Sequence, residues 1–139
     1  MIANGRYRIL EKFGQGAFGA VCRGQCTKTD KIYAVKMEHI DIGTNLIKHE
    51  STVLFFLQQE KCKNIPYVYY YGFQSPYTCM VISYFDQGSL NVWKPYLHTE
   101  EKIDWWDTMM ETFEFIHKAG IVHRDLKPAH FIRNRNHEW

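Results

Sequence analysis

The sequence lacks the features that would assign it to a membrane, secreted or strongly charged class of protein. No stretch reaches the run of about 18 apolar residues that a membrane-spanning helix needs. The N-terminal segment, residues 1–6, has no apolar core of a signal peptide. The net charge of the 139 residues is only +2, which gives no reason to propose nucleic acid or an anionic membrane as the main partner. We therefore expect no nucleic acid and no membrane among the partners, and the oligomeric state is left open.

The cysteines also lack an arrangement typical of a metal site. Cys22, Cys26, Cys62 and Cys79 form no Cys-x-x-Cys pair, and no histidine stands at zinc-binding spacing. An even number leaves disulfides possible. Because nothing else indicates secretion, free thiols in a reducing cytoplasm or nucleus are the favoured interpretation.

The composition is typical of a globular protein with a bulky core, since 45% of the residues are apolar and 16% are aromatic. Alternating apolar residues predict strands at residues 7–13, 20–25, 32–37, 68–73 and 78–84. A helix is predicted at residues 46–59, with candidate core positions Leu46, Val53, Leu54 and Leu57. The order is that of an α+β protein, in which a small β-rich lobe with one helix precedes a helical lobe.

A short helix at residues 90–97 and a long helix after it are predicted in the second half of the chain. Thr99 is the predicted N-cap of the long helix, which should end near Gly120. An apolar residue recurs every three or four positions along it, which predicts a buried stripe of Ile103, Trp106, Met110, Phe113 and Ile116.

A glycine motif lies between the first two predicted strands, with Gly14, Gly16 and Gly19 followed by Val21. Glycines let a backbone turn tightly and approach phosphate oxygens with no Cβ in the way. Such a segment can also be an ordinary hairpin. A dinucleotide-binding loop would open into a helix, whereas this one opens into a strand, which favours a flap over ATP.

A lysine lies inside the third predicted strand, in Tyr33-Ala34-Val35-Lys36. A lysine among buried residues is costly unless it is paired, although one at a sheet edge could simply face water. Glu50 stands fourteen positions later on the predicted helix and could form an ion pair that directs the ammonium to the nucleotide phosphates. Glu38 and Glu60 are less suitable partners, because one neighbours the lysine and the other ends the helix.

The hexapeptide His123-Arg124-Asp125-Leu126-Lys127-Pro128 follows the long helix. At this place the Asp125 carboxylate can accept the proton of a substrate hydroxyl that attacks a γ-phosphate. Lys127 can neutralise charge on the transferred group. A polar loop that matches by chance is the weaker alternative.

Taken in order, these motifs resemble the eukaryotic protein kinase superfamily from about Tyr7 to the last residues. Lys127 is typical of the serine/threonine type. The sequence is most similar to the casein kinase 1 group with its tau-tubulin-kinase-like branch, on the spacing from Lys36 to Glu50, on Asn64-Ile65-Pro66-Tyr67-Val68 with Tyr71-Gly72, on the short hinge, and on Phe115-Ile116-His117. The stretch from Gly120 to Asp125 is also similar to kinases of the cell-division-cycle 7 type.

The resemblance implies an N-terminal lobe and hinge over residues 1–85 and a partial C-terminal lobe over residues 86–139. It implies ATP as cofactor, with Mg²⁺ expected for the family. It also implies an ATP site made of Phe13, Gly14, Gln15, Gly16, Ala17, Phe18, Gly19, Val21, Ala34, Lys36, Glu50, Ile82, Tyr84 and Phe85. Ile82 would be the gatekeeper, and Ser83 to Phe85 would read adenine through their backbone.

The sequence departs from the family pattern at the metal ligands. His130 stands where the family has the asparagine that holds magnesium, and an imidazole is a poor ligand for that ion. His130 either fills space in its loop or holds metal in an unusual way, and no other residue is predicted as a metal ligand. No Asp-Phe-Gly follows, so we expect the chain to be truncated after the catalytic loop.

Three interpretations stay open: an active serine/threonine protein kinase, a pseudokinase that at most binds nucleotide or a partner protein, and a truncated fragment without activity. The sequence does not identify the protein substrate.

Overall fold

The computed structural model describes residues 1–16, 19–42, 46–85 and 98–121, which form an α+β fold. Their elements are β1 (Tyr7–Gly16), β2 (Gly19–Cys26), β3 (Ile32–His39), a 3₁₀ turn (Ile40–Ile42), α1 (Leu46–Gln59), β4 (Val68–Gln74), β5 (Tyr77–Ser83) and α2 (Thr99–Lys118). The five predicted strands and the two longer helices are confirmed, and α1 has the predicted bounds. The short helix predicted at residues 90–97 lies outside the described residues.

The strands form one antiparallel sheet of five strands in the order β1-β2-β3-β5-β4. The first strand runs three residues further than predicted, because pairing of the β1–β2 hairpin continues through the glycine motif to Gly16, which lies opposite Gly19. The fold class predicted from the sequence, a five-stranded antiparallel sheet with one helix followed by a helical segment, is confirmed.

The two faces of the sheet are covered by different parts of the chain. On one face, a cluster of buried side chains joins α1 to the sheet: Ala34, Ile47, Val68, Met80 and Ile82. On the other face, the N-terminal segment takes part in a second cluster: Ile2, Tyr7, Cys26, Tyr33, Val35, Cys79 and Val81. Strand side chains alternate between faces, so β3 contributes to both clusters.

The side of α1 that faces the sheet differs from the prediction. Leu57 is buried as expected, but Leu46 is exposed, and the candidate core positions 53 and 54 are half-buried. The side chains of Ile47 and Ser51 are buried instead. Ile47 and Ser51 lie four positions apart on one side of α1, whereas Leu46, the first residue of the helix, is exposed although it lies within about 20° of Leu57 around the axis.

The first turn of α2 is capped differently from the prediction. His98, not Thr99, is the N-cap residue, and its backbone N–H donates to the Glu101 carboxylate at 3.0 Å. Carboxylates are favourable there because the first N–H groups of a helix have no partner within the helix. The predicted end is confirmed, since α2 stops at Lys118 and Gly120 has a positive φ of 83°.

The expectation that the apolar stripe of α2 is buried throughout is wrong. Ile103, Trp106 and Met110 are between 52% and 55% exposed, Phe113 is half-buried, and Ile116 is buried. Periodicity indicates which side of a helix can be buried, whereas burial also requires another element packed against that side.

The chain divides into two compact units. Residues 1–60 and 65–84 form the first, and the described residues 61–64, 85 and 98–121 belong to the second. The boundary predicted after residue 85 remains a prediction, because residues 86–97 lie outside the described part. Neither of the two described α-helices is long and apolar enough to cross a membrane.

Candidate functional site

Several predicted site residues lie together on the sheet face that α1 covers. Val21 on β2 lies opposite Lys36 on β3, and Ala34 on β3 lies opposite Ile82 on β5. Directly opposed residues of antiparallel strands point to the same face, and so do positions two apart on one strand. Gly14 is opposite Val21, which extends the row into the glycine motif. The face therefore combines apolar side chains with one lysine.

The ion pair predicted between Lys36 and Glu50 is present. Lys36 Nζ and Glu50 Oε1 lie 2.5 Å apart, with the two side chains 24% and 33% exposed. The pair is thus largely screened from water but still reachable. A lysine held in this way is a fixed cation at the end of an apolar surface, as an adenine nucleotide with its phosphates would require.

Two side chains that were not predicted as site residues join the ends of α1 to the sheet by hydrogen bonds. Glu38, only 5% exposed, accepts a hydrogen bond from the Leu46 N–H through Oε2 at 3.2 Å. Gln58 accepts from the Val68 N–H at 2.9 Å and donates to the Val68 carbonyl at 3.5 Å. Strand alternation could have indicated that Glu38 shares the face of Lys36. No sequence signal indicated the role of Gln58.

The glycines of the motif have different reasons to be glycine. A Cβ at Gly19 would lie 1.9 Å from the carbonyl oxygen of Met37, so the β2–β3 pairing itself excludes a side chain there. A Cβ at Gly14 would meet nothing closer than the Val21 Cβ at 3.7 Å, an ordinary contact. The protein's own packing therefore leaves room over Gly14, which fits close approach of a phosphate-bearing group.

The predicted gatekeeper lies on β5, and the predicted hinge begins at the last residue of that strand. Ile82 is buried, Tyr84 is half-buried, and the Ser83 N–H donates to the Tyr67 carbonyl at 3.0 Å. A backbone contact from Ser83 to an adenine could therefore not use that N–H. Phe85, the last predicted hinge residue, is also half-buried.

An arginine that was not predicted as part of the site lies on the same face beside the hinge. Arg23 is opposite Ala34, and its Nε lies 2.7 Å from Glu11 Oε1. Hydrogen bonds that Arg23 donates to Tyr84 and to Glu11 raise the pKa of its guanidinium. Arg23 thus connects β1 and β2 with the end of β5.

Other predicted site residues lie outside the part of the chain that the structure describes. Ala17 and Phe18 lie outside the described residues, as do the side chains of Phe13 and Gln15, and Gly16 is described by its backbone alone. The catalytic-loop residues Asp125 and Lys127, together with His130, also lie outside them. Among the residues that are described, no group of three or more His, Cys, Asp or Glu side chains could hold a metal ion.

The order of these features and their geometry agree with a comparison against known families. Residues 7–138 match the protein kinase domain family. The chain belongs to the protein kinase family. Members of this family generally transfer phosphate from ATP to protein and use Mg²⁺. The strand that follows the glycine motif, β2, also excludes the dinucleotide-binding alternative, in which a helix would follow.

The described residues fit the nucleotide of the family. Val21, Ala34 and Ile82 supply apolar surface on one face, and Lys36 supplies a cation held by Glu50. The space over Gly14 leaves the backbone accessible. The position at which the family has its Mg²⁺-holding asparagine lies outside the described residues, and the sequence has His130 there.

Proposed function

We propose that the chain is a serine/threonine protein kinase of the casein kinase 1-like kind. The observation that carries the proposal is the Lys36–Glu50 ion pair, which shares a sheet face with the apolar residues Val21 and Ala34. When bound, ATP supplies the phosphoryl group that is transferred. Lys36 binds the phosphates, and Glu50 keeps its ammonium directed at them.

In this proposal the catalytic loop carries the transfer chemistry. Asp125 takes the proton of the attacking serine or threonine hydroxyl, and Lys127 balances negative charge on the transferred group. The support is the sequence His123-Arg124-Asp125-Leu126-Lys127-Pro128 together with the family match. Lys127 favours serine and threonine over tyrosine, and the casein kinase 1 resemblance favours acidic or primed peptides as substrates.

Nucleotide binding is tested first, by thermal unfolding of the chain with and without Mg-ATP. The expected result is a rise in Tm that disappears in Lys36→Met. Lys48→Met is a matched control, because Lys48 is an exposed lysine on α1 outside the predicted site. The binding part of the proposal is wrong if no shift occurs, or if Lys36→Met shows the same shift as the unsubstituted chain.

Transfer is tested with radiolabelled ATP and acidic peptides that contain serine, threonine or tyrosine. We expect label on serine and threonine, lost in Asp125→Asn. Label on tyrosine alone would contradict the serine/threonine assignment.

The second candidate is a pseudokinase that binds nucleotide or a partner protein without phosphoryl transfer. The observation that favours it is His130, which stands where the family has an asparagine whose amide oxygen holds magnesium. A Tm shift with ATP and no labelled peptide would select this candidate. Replacement of His130 by Asn should then restore measurable transfer if the missing ligand is the cause.

We also propose a reducing compartment, the cytoplasm or the nucleus, because all four cysteines are free. Cell fractionation followed by mass spectrometry of the cysteine peptides tests this, and a disulfide in the native protein would contradict it.

A further inference from the structure

We propose that Glu38 and Gln58 are positioning residues, which hold the two ends of α1 so that Glu50 remains on Lys36. The inference rests on the proposed function, because it concerns the same ion pair. The chain thus fixes the position of this helix with two of its own side chains.

The N-terminal end of α1 is held by a buried carboxylate. Glu38 lies two positions after Lys36 on β3, so both side chains point to the face that α1 covers. Its Oε2 accepts the N–H of Leu46, one of the first helical N–H groups, which have no partner within the helix. A negative charge there is also favoured by the helix dipole. One strand thus carries the lysine and fixes the start of the helix that brings its partner.

The C-terminal end is held by a side-chain amide. Gln58 bonds both the N–H and the carbonyl of Val68, the first residue of β4. An amide can do both because it has a donor and an acceptor side by side. Glu50 lies between the two anchored ends, four positions after Leu46 and eight before Gln58.

Apolar packing alone would not fix α1 as closely. Its buried residues are Ile47, Ser51 and Leu57, and the hydrophobic contribution of such contacts has no preferred direction. Hydrogen bonds require particular distances and angles, so anchors at both ends limit rotation and sliding of the helix. A small displacement would suffice to separate Glu50 from Lys36, since their contact is one hydrogen bond between two side chains.

The test compares Gln58→Met with Gln59→Met in the full chain. The substitution is the same at neighbouring positions, but Gln59 is exposed. Glu38→Leu removes the acceptor at the other end, and Glu38→Gln, which keeps an acceptor oxygen, is the conservative variant. If Glu38→Leu does not fold, Glu38→Gln and Gln58→Met still decide the question.

The first measurement is the affinity for Mg-ATP by calorimetry. We expect Gln58→Met and Glu38→Leu each to weaken binding about fivefold, the effect of one net hydrogen bond, with Gln59→Met unchanged and Glu38→Gln less affected than Glu38→Leu. Because the anchors act through Glu50, neither substitution should weaken binding further in a Glu50→Gln background. Losses that add fully in that background, or equal losses in Gln58→Met and Gln59→Met, would overturn the proposal.

The second measurement needs no nucleotide. Lysine acetylation, followed at the Lys36 peptide by mass spectrometry, should be faster in Gln58→Met and Glu38→Leu, as it is expected to be in Glu50→Gln. Amide exchange in α1 should rise with it, while labelling of the buried Cys79 thiol stays slow. If labelling of Cys79 accelerates as much as acetylation of Lys36, the variants are generally destabilised, and the positioning role is overturned. A chain that binds no ATP but shows the expected acetylation pattern would contradict the proposed function and leave this inference supported.

Discussion

Replacement of Gly19 by Ala is expected to destabilise the folded chain, whereas the same change at Gly14 is not. A Cβ at Gly19 would lie 1.9 Å from the Met37 carbonyl oxygen and 3.0 Å from its carbonyl carbon. Real Cβ atoms almost never come closer than 3.0 Å to another heavy atom, so β2 and β3 would have to separate locally by about 1 Å. The obstacle is backbone, which cannot rotate away as a side chain can.

Overpacking of this kind costs about 1–3 kcal/mol, and a fixed backbone neighbour places Gly19→Ala toward the upper end of that range. For a chain of this length, about 1 kcal/mol corresponds to about 3–5 °C in Tm, so a cost of about 2–3 kcal/mol lowers Tm by about 6–15 °C. At Gly14 the nearest atom to a new Cβ is the Val21 Cβ at 3.7 Å. Gly14→Ala should therefore change Tm by no more than about 2 °C, because Ala also reduces the entropy of the unfolded chain.

The assay is thermal unfolding followed by circular dichroism, first without nucleotide and then with Mg-ATP. Without nucleotide, only Gly19→Ala should melt early. With nucleotide, Gly14→Ala should show a smaller rise in Tm than the unsubstituted chain, because its Cβ occupies space next to the proposed phosphates. Equal melting temperatures of the two variants without nucleotide would refute the reasoning from backbone contact.

Further outcomes follow from burial elsewhere in the first unit. Leu57→Ala should lower the free energy of unfolding by about 2–5 kcal/mol in urea, whereas Phe56→Ala should change it by less than about 1 kcal/mol, because the two residues are 3% and 42% exposed. Similar losses at both positions would contradict the orientation of α1. Burial, with a smaller effect of the neighbouring Cys22, raises the pKa of the Cys79 thiol to about 11. At pH 8 only about one Cys79 in a thousand is then a thiolate, so iodoacetamide should modify half-buried Cys62 first and Cys79 only after unfolding. Modification of Cys79 in the folded chain at the rate of Cys62 would show that the thiol is accessible.

The sequence predicted the elements of the first unit well, because strand alternation and helix periodicity are local properties. The bounds of α1 and the partner of Lys36 were both correct. The buried side of α1 was not, since it depends on how the helix is rotated against the sheet. Leu46 and Ile47 are equally apolar, and only the packed structure shows that Ile47 is the buried one.

Two functional contacts could not be predicted because they join a side chain to a backbone group that is distant in the sequence. Gln58 and Val68 lie ten positions apart, and nothing in either residue type indicates the contact. From the sequence alone, Glu38 is a candidate only as a less suitable partner for Lys36. Its role as acceptor for the Leu46 N–H becomes evident only from the structure, in which the first residue of α1 lies next to the Glu38 carboxylate. The capping of α2 by His98 similarly depends on the backbone angles just before the helix.

The alternation of β3 has a consequence for insertions and deletions. Even-numbered positions, Ala34, Lys36 and Glu38, face α1, while Tyr33, Val35 and Met37 face the cluster that contains Ile2. Removal of one residue early in the strand would exchange the two sets. Lys36 would then be directed into the apolar cluster, and Glu50 would lose its partner. The register of β3 against its neighbours is therefore as much a requirement of the site as the identity of Lys36 itself.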